Sequence, residues 1–129
     1  MIVDIVTPVR KLVEGAKVDA VKLPSAAGQL TILPGHADLL TLLGTGEMSF
    51  SQDGRERKFA VSYGFVEVRR DKVLILAETT EESQEIDRGR ASEAEKKARG
   101  ALQGVLDESK FRKYQLKLQR AIVRQKVSG

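Results

Sequence analysis

The sequence predicts an α+β protein in which an N-terminal antiparallel β-sandwich is followed by a C-terminal antiparallel α-helical hairpin. Up to about residue 82, short apolar runs alternate with turn signals, the pattern of an all-β sandwich or barrel. Beyond that point the apolar residues recur at i, i+3 and i+4, the spacing of amphipathic helices. We therefore divide the chain into a sandwich domain, residues 1–84, and a helical hairpin, residues 85–129.

Apolar runs mark the predicted strands. Asp53-Gly54 separates two of them and signals a two-residue hairpin, because type I′ turns need positive φ. The apolar residues change face across Gly64, which predicts a β-bulge there. The run 73–76 is apolar on both faces, so we expect a central strand or one that lies under the helices. The predicted strands are Ile2–Val6, Ala16–Leu23, Leu30–Leu33, Leu39–Leu43, Met48–Ser51, Lys58–Val68 and Val73–Glu78.

Two apolar stripes predict the hairpin. Between them the pattern stops near residues 107–109, where Asp107 or Ser109 is a candidate N-cap. Three glycines, at 89, 100 and 104, fall within the first predicted helix and each costs about 1 kcal/mol relative to alanine. The hairpin is therefore expected to be marginal on its own. The first stripe is Ala91, Ala94, Ala98, Ala101, Leu102 and Val105, and the second is Phe111, Tyr114, Leu118, Ala121 and Ile122.

Charge and composition restrict the function. Residues 1–86 carry 10 basic and 13 acidic side chains, whereas residues 87–129 carry 12 and 5. A basic tail on an acidic body indicates an acidic partner for the tail. The absence of cysteine excludes disulfides, thiolate metal sites and a cysteine nucleophile, and a single histidine, His36, argues against a metal site. With no signal peptide and no run near the roughly 20 apolar residues of a membrane span, we expect a cytoplasmic protein.

Two segments carry a resemblance to a known family. The first is Gly28-Gln-Leu-Thr-Ile-Leu-Pro-Gly-His-Ala37. The second is Gly64-Phe-Val-Glu-Val68, continued by Val73-Leu-Ile-Leu-Ala-Glu78 and Glu85-Ile-Asp-Arg-Gly-Arg-Ala91. In these segments, in their order and in their approximate separation, the chain resembles the ε-subunit family of bacterial-type rotary ATP synthases, and the resemblance covers essentially the whole chain.

The resemblance implies a non-catalytic central-stalk subunit with no catalytic residue, no metal and no required cofactor. Its sandwich would dock on the γ subunit and on the ring of membrane c subunits. Its hairpin would lie against the sandwich or extend along γ toward the catalytic α and β subunits, where it restrains ATP hydrolysis. The protein would therefore be peripheral, at the cytoplasmic face of the cell (inner) membrane.

Three sets of functional residues follow from the resemblance. The c-ring contact comprises Gln29, Pro34, Gly35 and His36, although the family often has an acid where Gln29 stands. ATP is a regulatory ligand in some bacterial members, and its site corresponds to Glu81, Ile86, Asp87, Arg90, Ala91, Lys97, Arg120 and Arg124. The inhibitory basic face corresponds to Arg112, Lys113, Lys117, Arg120 and Arg124.

The chemistry of the ATP site is reasonable, and each part of it also has an ordinary interpretation. Arg120 and Arg124 are four residues apart, so they share a helix face and can form one phosphate clamp. Asp87 and Arg90 are equally what an N-cap and an i, i+3 ion pair require. Because the sequence has no P-loop, a bound ATP would be sensed and not hydrolysed.

Two other functions compete with the motor subunit. The basic hairpin suits a nucleic-acid-binding module, but the sandwich is acidic and only Phe111 and Tyr114 supply aromatic surface in the basic half. A small β-sandwich enzyme is the third hypothesis. Against it, the sequence has no recognisable pair of carboxylates, no Cys/His pair and no metal cluster.

Overall fold

The computed structural model describes residues 1–128; Gly129, the last residue of the predicted hairpin domain, lies outside them. Eight strands are followed by a 3₁₀ turn, Ser83–Glu85, and by two helices, so the predicted fold class is confirmed. The strands are β1 Ile2–Val6, β2 Lys11–Lys17, β3 Val21–Ser25, β4 Gly28–Ile32, β5 Leu39–Leu43, β6 Gly46–Gln52, β7 Arg55–Arg69 and β8 Lys72–Glu82. The helices are α1 Arg88–Leu102 and α2 Glu108–Val127.

Strands β7 and β8 run the length of the sandwich and connect its layers. The first half of β7 pairs with β6, its second half pairs with β5, and β8 accompanies it from end to end. The strand order is β2-β1-β8-β7-β5-β3-β4, with β6 paired to β3 and β7. β8 is thus the central strand that its two-sided apolar sequence predicts. All pairs are antiparallel except β1 with β8, which is parallel.

The core is built by the sandwich alone. Alternate residues along the strands point inward and are removed from water, each large side chain contributing roughly 1.5–3 kcal/mol. The rings of Phe50 and Phe59 stack with centroids 5.4 Å apart. The main cluster includes Val3, Ile5, Val21, Leu23, Ile32, Met48, Phe50, Phe59, Val66 and Ile75, and no helical residue belongs to it. The sandwich therefore does not depend on the hairpin for its core.

The change of face in β7 occurs at Tyr63-Gly64, but without the predicted bulge. Val61 and Val66 are both buried, while Tyr63 and Phe65 between them are exposed. Pairing with β8 keeps one register across this point, so no residue is inserted. Instead, Tyr63 and Gly64 take positive φ, 53° and 146°, and rotate the strand. A Cβ on Gly64 would lie 1.8 Å from the carbonyl oxygen of Leu76, so only glycine fits.

The predicted strand Ala16–Leu23 is wrong as a single element. The chain bends at residues 18–20, where the Val18 N–H donates to the carbonyl of Met1, 2.9 Å away. The first part of the run belongs to β2, which already begins at Lys11, and the rest opens β3. The alternation of buried and exposed residues continues from the strand into the bend, through Val18 and Asp19, so the sequence shows no change of pattern there.

The predicted hairpin is confirmed, and Asp107, one of the two candidate N-caps, caps α2 by accepting from the Lys110 N–H at 2.8 Å. The other details differ from the prediction. Since α1 ends at Leu102, Gly104 and Val105 lie in the connection, and Val105 is fully exposed. Phe111 and Ile122 are also largely exposed and do not belong to the packing face. Of the predicted stripe, Tyr114, Leu118 and Ala121 remain on that face. The difference arises because α2 turns part of its surface to the sandwich as well as to α1.

We expect Gly64→Ala to lower the free energy of unfolding of the sandwich by at least about 2 kcal/mol, because the added Cβ meets backbone in a conformation reserved for glycine. Chemical denaturation followed by circular dichroism measures the loss. Gly100→Ala is the matched control: its Cβ meets nothing within 4 Å, and the sandwich should unfold as in the wild type. Equal stability of the Gly64→Ala protein would show that the strand can turn without glycine.

Candidate ligand cleft and docking faces

The hairpin lies on the sandwich through α2. This helix packs against β6 and β7, whereas α1 packs mainly against α2. A small second apolar cluster joins the two parts of the chain. It consists of Ala60 in β7, Ile86 before α1 and Val127 at the end of α2, with Val123 packed against them. With so few apolar groups in this interface, polar contacts must carry much of its stability.

Two arginines of α2, which we call the arginine pair, Arg120 and Arg124, supply these polar contacts. Arg124 Nε lies 2.8 Å from Glu81 Oε1 in β8, with both side chains mostly shielded from water. Arg120 Nε donates to the Ser62 hydroxyl at 2.9 Å, and its Nη2 lies 3.7 Å from Glu78 Oε2. The pair thus shares a helix face, as predicted, and that face is turned to the sandwich.

A cleft of about 570 Å³ opens beside the arginine pair, between α1, α2 and the paired strands β7 and β8. Its walls are mostly small apolar side chains, including Ala60, Ala94, Ala98 and Ala101, with the ring of Tyr114. The cationic side chains of Lys97, Lys117 and the arginine pair also line the cleft, together with one acidic side chain, that of Glu81. Because the apolar side chains are small, the cleft has room for a flat ring. The cationic side chains suit an anionic group of a ligand.

Two guanidinium donors beside this cleft lack a hydrogen bond. Arg120 Nη2 and Arg124 Nε are buried and have no hydrogen-bond partner among residues 1–128, although each lies near a carboxylate, that of Glu78 at 3.7 Å and that of Glu81 at 2.8 Å. Buried guanidinium donors are normally bonded, so an unpaired one is costly in the absence of a ligand. An anion that enters the cleft would supply the missing acceptor.

The structure brings together only part of the predicted ATP site. Glu81, Lys97, Arg120 and Arg124 line the cleft. Asp87 and Arg90 border a separate shallow depression on α1, which also includes Lys97. Ile86 and Ala91 are buried in the packing of the hairpin. Lys97 is therefore the one predicted residue that belongs to both hollows.

Asp87 has the ordinary role of an N-cap. Its Oδ1 accepts from the Arg90 N–H at 3.0 Å, and its Oδ2 lies 3.9 Å from Arg90 Nε. Both side chains are well exposed, so the ion pair contributes little by itself. Both groups are accessible to a ligand on the surface of α1.

The five residues of the predicted basic face are not all exposed in this position of the hairpin. Arg112, Lys113 and Lys117 are exposed, whereas the arginine pair is turned to the sandwich. The ammonium groups of Lys113 and Lys117 lie 5.9 and 5.4 Å from the centre of the Tyr114 ring. The five cations therefore form two groups, divided because α2 uses its arginines to bind the sandwich.

The contact between the two helices includes an acid with a perturbed pKa. Arg99 Nε donates to Glu95 Oε2 at 2.8 Å, and Gln125 Nε2 donates to Glu95 Oε1 at 2.6 Å. The hydrogen bond from Arg99, followed by that from Gln125, lowers the pKa of Glu95. Glu95 therefore stays ionised and binds α1 to α2.

The segment that carries the predicted c-ring contacts is an exposed loop between β4 and β5. Its centre is a type II turn: the His36 N–H donates to the Leu33 carbonyl at 3.1 Å, and Gly35 has φ of 81° after Pro34. His36 Nδ1 donates to the Ala37 carbonyl at 2.6 Å. Gln29 is also exposed but lies at the other end of β4, beside the β3–β4 connection.

A second exposed face is apolar. We call Leu40, Leu42, Phe65 and Leu76 the outer apolar patch. Phe65 in β7 lies opposite Leu42 in β5 and Leu76 in β8, so three of these side chains form one row across the sheet. A row of large apolar side chains left in water is typical of a docking surface.

Three functional contacts were not foreseen from the sequence. Ser62 and Glu78 bind Arg120, and Asp71 holds the turn at Gly35. A serine between Val61 and Tyr63 in an otherwise apolar run was a weak signal for the first. The other two join residues that are distant in the sequence, which no local pattern reveals.

Two further classes of function receive no support from the geometry. No group of three or more His, Cys, Asp or Glu side chains within residues 1–128 is arranged to hold a metal ion. In the same range, no helix combines the length and the apolar character needed to cross a membrane.

These features define a class of protein: a β-sandwich with an exposed loop and an exposed apolar patch, carrying a helical hairpin over a cleft lined by cationic side chains. Residues 1–83 match the family described as ATP synthase, Delta/Epsilon chain, beta-sandwich domain. Residues 84–129 match the corresponding long alpha-helix domain. The chain belongs to the delta/epsilon chain family of ATP synthase. The ε chain is a non-catalytic subunit of that enzyme, as the sequence predicted.

Curated relatives support this assignment over nearly the whole chain. The ATP synthase epsilon chain of Geotalea daltonii is 41% identical over 128 residues, which cover 98% of this chain and 92% of the relative. That of Koribacter versatilis is 47% identical over 100 residues, covering 78% and 70%.

Solved structures show the same fold at low identity. A chain in the OSCP/F1/c-ring assembly of the Euglena gracilis mitochondrial ATP synthase has a TM-score of 0.82 and 21% identity, covering 92% of this chain and 75% of its own. A chain from the central stalk and c-ring of the Tetrahymena thermophila enzyme has a TM-score of 0.68 and 15% identity, covering 99% and 96%.

Proposed function

We propose that this chain is the ε subunit of the central stalk of a rotary, proton-transporting ATP synthase, peripheral to the cytoplasmic face of the membrane. In this proposal residues 1–84 dock on γ and on the c-ring, and residues 85–129 restrain ATP hydrolysis. The observation that carries it is the sandwich with two exposed faces on a chain of this family. The assemblies named for the structural neighbours, which contain a central stalk and a c-ring, support these partners.

The two docking faces differ in chemistry. We assign the outer apolar patch to γ, since a large apolar row gains most by burial against another protein subunit. We assign Pro34, Gly35 and His36, with Gln29, to the c-ring, because an exposed loop with polar groups suits contact with the polar ends of membrane helices. Membrane association would then be indirect.

We expect Phe65→Glu to weaken binding of the chain to γ at least about tenfold, because a charge replaces an aromatic side chain at the centre of the patch. Calorimetric titration with purified γ measures the effect. Phe111→Glu is a matched control, since Phe111 is exposed to a similar degree, 43% against 51%, but lies on α2. Equal weakening by both variants would place the γ contact elsewhere.

The hairpin restrains hydrolysis, in our proposal, only when it leaves the sandwich. In the folded position the arginine pair is bound to β7 and β8. Of the five predicted residues, Arg112, Lys113 and Lys117 alone are exposed to solvent. Departure from the sandwich would free both arginines and complete the five-residue basic face. Such a face attracts the acidic partner that the charge of the tail indicates, which we place on the catalytic β subunit, and salt weakens the attraction.

We expect Glu81→Gln to favour departure of the hairpin by about 1 kcal/mol, since it removes the charge that Arg124 pairs with. In the isolated chain, hydrogen exchange of the α2 amides should accelerate about fivefold. In the assembled enzyme, ATP hydrolysis should fall.

The control for this prediction is Glu108→Gln, which removes an exposed partner of Arg112 within α2 and no contact to the sandwich. Deletion of residues 87–129 should raise hydrolysis and abolish the effect of Glu81→Gln. Unchanged hydrolysis after this deletion would mean that the hairpin is not a brake.

ATP is the regulatory ligand that we propose for the cleft, as a signal and not as a substrate. The apolar walls suit the adenine ring, while Lys97, Lys117 and the arginine pair suit the phosphates. Arg120 Nη2 gains an acceptor when phosphate enters. Asp87 and Arg90 lie on the neighbouring depression and contact the part of the nucleotide that extends past Lys97, with Ile86 and Ala91 supporting that wall from beneath. Bound ATP would join α1, α2 and the sandwich and favour the folded position.

We expect Lys97→Ala to weaken ATP binding by the isolated chain about tenfold, because a cation common to both hollows is lost. Calorimetric titration of ATP gives the affinity. Lys96→Ala is the matched control, an exposed lysine next in sequence that borders neither hollow. Heats that are absent from the wild type, or equal in all three proteins, would remove ATP from the proposal.

A further inference from the structure

The turn between β7 and β8 has a backbone conformation that its own two central residues do not favour. Arg69 and Lys72 pair across it, and the two residues between them, Arg70 and Asp71, have φ of 49° and 61°. A turn with positive φ at both central positions favours Asn-Gly or Asp-Gly, because side chains clash there. Arg-Asp is a poor choice for such a turn, and a glycine at position 71 would relieve it.

Asp71 forms one side-chain contact that a glycine would lose and one backbone contact that a glycine would keep. Its Oδ1 accepts from the Gly35 N–H at 2.9 Å, while its backbone carbonyl accepts from the Ile2 N–H at 2.9 Å. From the other side, Asp38 Oδ1 accepts from the Arg70 N–H at 3.3 Å. The β7–β8 turn and the β4–β5 loop are thus joined by two side-chain hydrogen bonds in opposite directions.

The bond to Gly35 fixes the part of the loop that faces solvent. Gly35 is the third residue of the turn Leu33–His36, whose only internal bond is from the His36 N–H. The Gly35 N–H has no role in that bond, so without Asp71 the central peptide could rotate with little resistance. Pro34 and His36 flank this peptide, and their orientation depends on it.

We infer that Asp71 is a positioning residue for the c-ring-facing loop, holding Pro34, Gly35 and His36 in the orientation in which they meet the ring. The inference rests on the proposed c-ring contact. Strain retained at a turn is offset by the surrounding structure, and it points to a role outside the turn. Here the role is the carboxylate that reaches Gly35.

Asp71→Gly and Asp71→Asn separate positioning from folding. Glycine relieves the turn but removes the acceptor; asparagine tolerates positive φ and keeps an Oδ1 acceptor. In Asp71→Gly the thermal midpoint should be unchanged or higher, while exchange of the Gly35 amide, measured by NMR, rises roughly tenfold. Proton pumping per ATP hydrolysed by the assembled enzyme in vesicles should fall. Asp71→Asn should resemble the wild type in all three measurements.

Two more variants make every outcome decisive. Asp38→Ala frees the loop from the other side without changing the strained turn, and it replaces Asp71→Gly should that protein fold poorly. His36→Ala tests the loop itself. Reduced pumping in His36→Ala with normal pumping in Asp71→Gly, or unchanged Gly35 exchange in Asp71→Gly, overturns the positioning role alone. Normal pumping in both variants removes the c-ring contact and the inference with it.

Discussion

The structure depends on the continuous pairing of β7 with β8 through both layers of the sandwich. A strand that belongs to both layers must change, near its middle, which of its side chains point inward. In β7 this change occurs at Tyr63 and Gly64, and the register with β8 is kept. Gly64 lies so close to the Leu76 carbonyl that no side chain fits. The same change of face exposes Phe65 beside Leu42 and Leu76 and brings Ser62 and Glu81 under α2. One backbone feature therefore positions both the outer apolar patch and the floor of the cleft.

The hairpin is held far less firmly than the sandwich is packed. The apolar cluster that joins it to the sandwich consists of Ala60, Ile86, Val123 and Val127. Burial of their surface stabilises the contact by several kcal/mol at most. The conformational entropy lost when two helices are ordered opposes this gain. The ionic contacts of the arginine pair add a contribution that salt and ligands can alter. A stable platform with a weakly bound appendage is what a subunit needs if one part stays docked while the other moves.

Much of this arrangement was predictable from local pattern, and the failures have physical causes. Helix type, the Asp107 cap and the change of face at Gly64 follow from the sequence, because each is decided by neighbours along the chain. The bulge and the packing of Phe111 and Ile122 were wrong, since each depends on what lies across from the element. A helix that packs on two surfaces does not show a single stripe. Asp71 escaped notice because its partner Gly35 is distant in the sequence.

The arginine pair has two uses that exclude each other. While Arg124 binds Glu81 and Arg120 binds Ser62, neither can contact an acidic partner on another subunit, so the folded hairpin hides the charge on which inhibition would depend. In our proposal a nucleotide in the cleft does not need to break these contacts, since Arg120 Nη2 has no hydrogen-bond partner among residues 1–128 and lies 3.7 Å from Glu78 Oε2. Its phosphates would add to the bonds that hold the hairpin down. Ligand binding and inhibition would then compete for the same two side chains, and that competition would make a weakly held hairpin responsive to nucleotide without any large rearrangement of the sandwich.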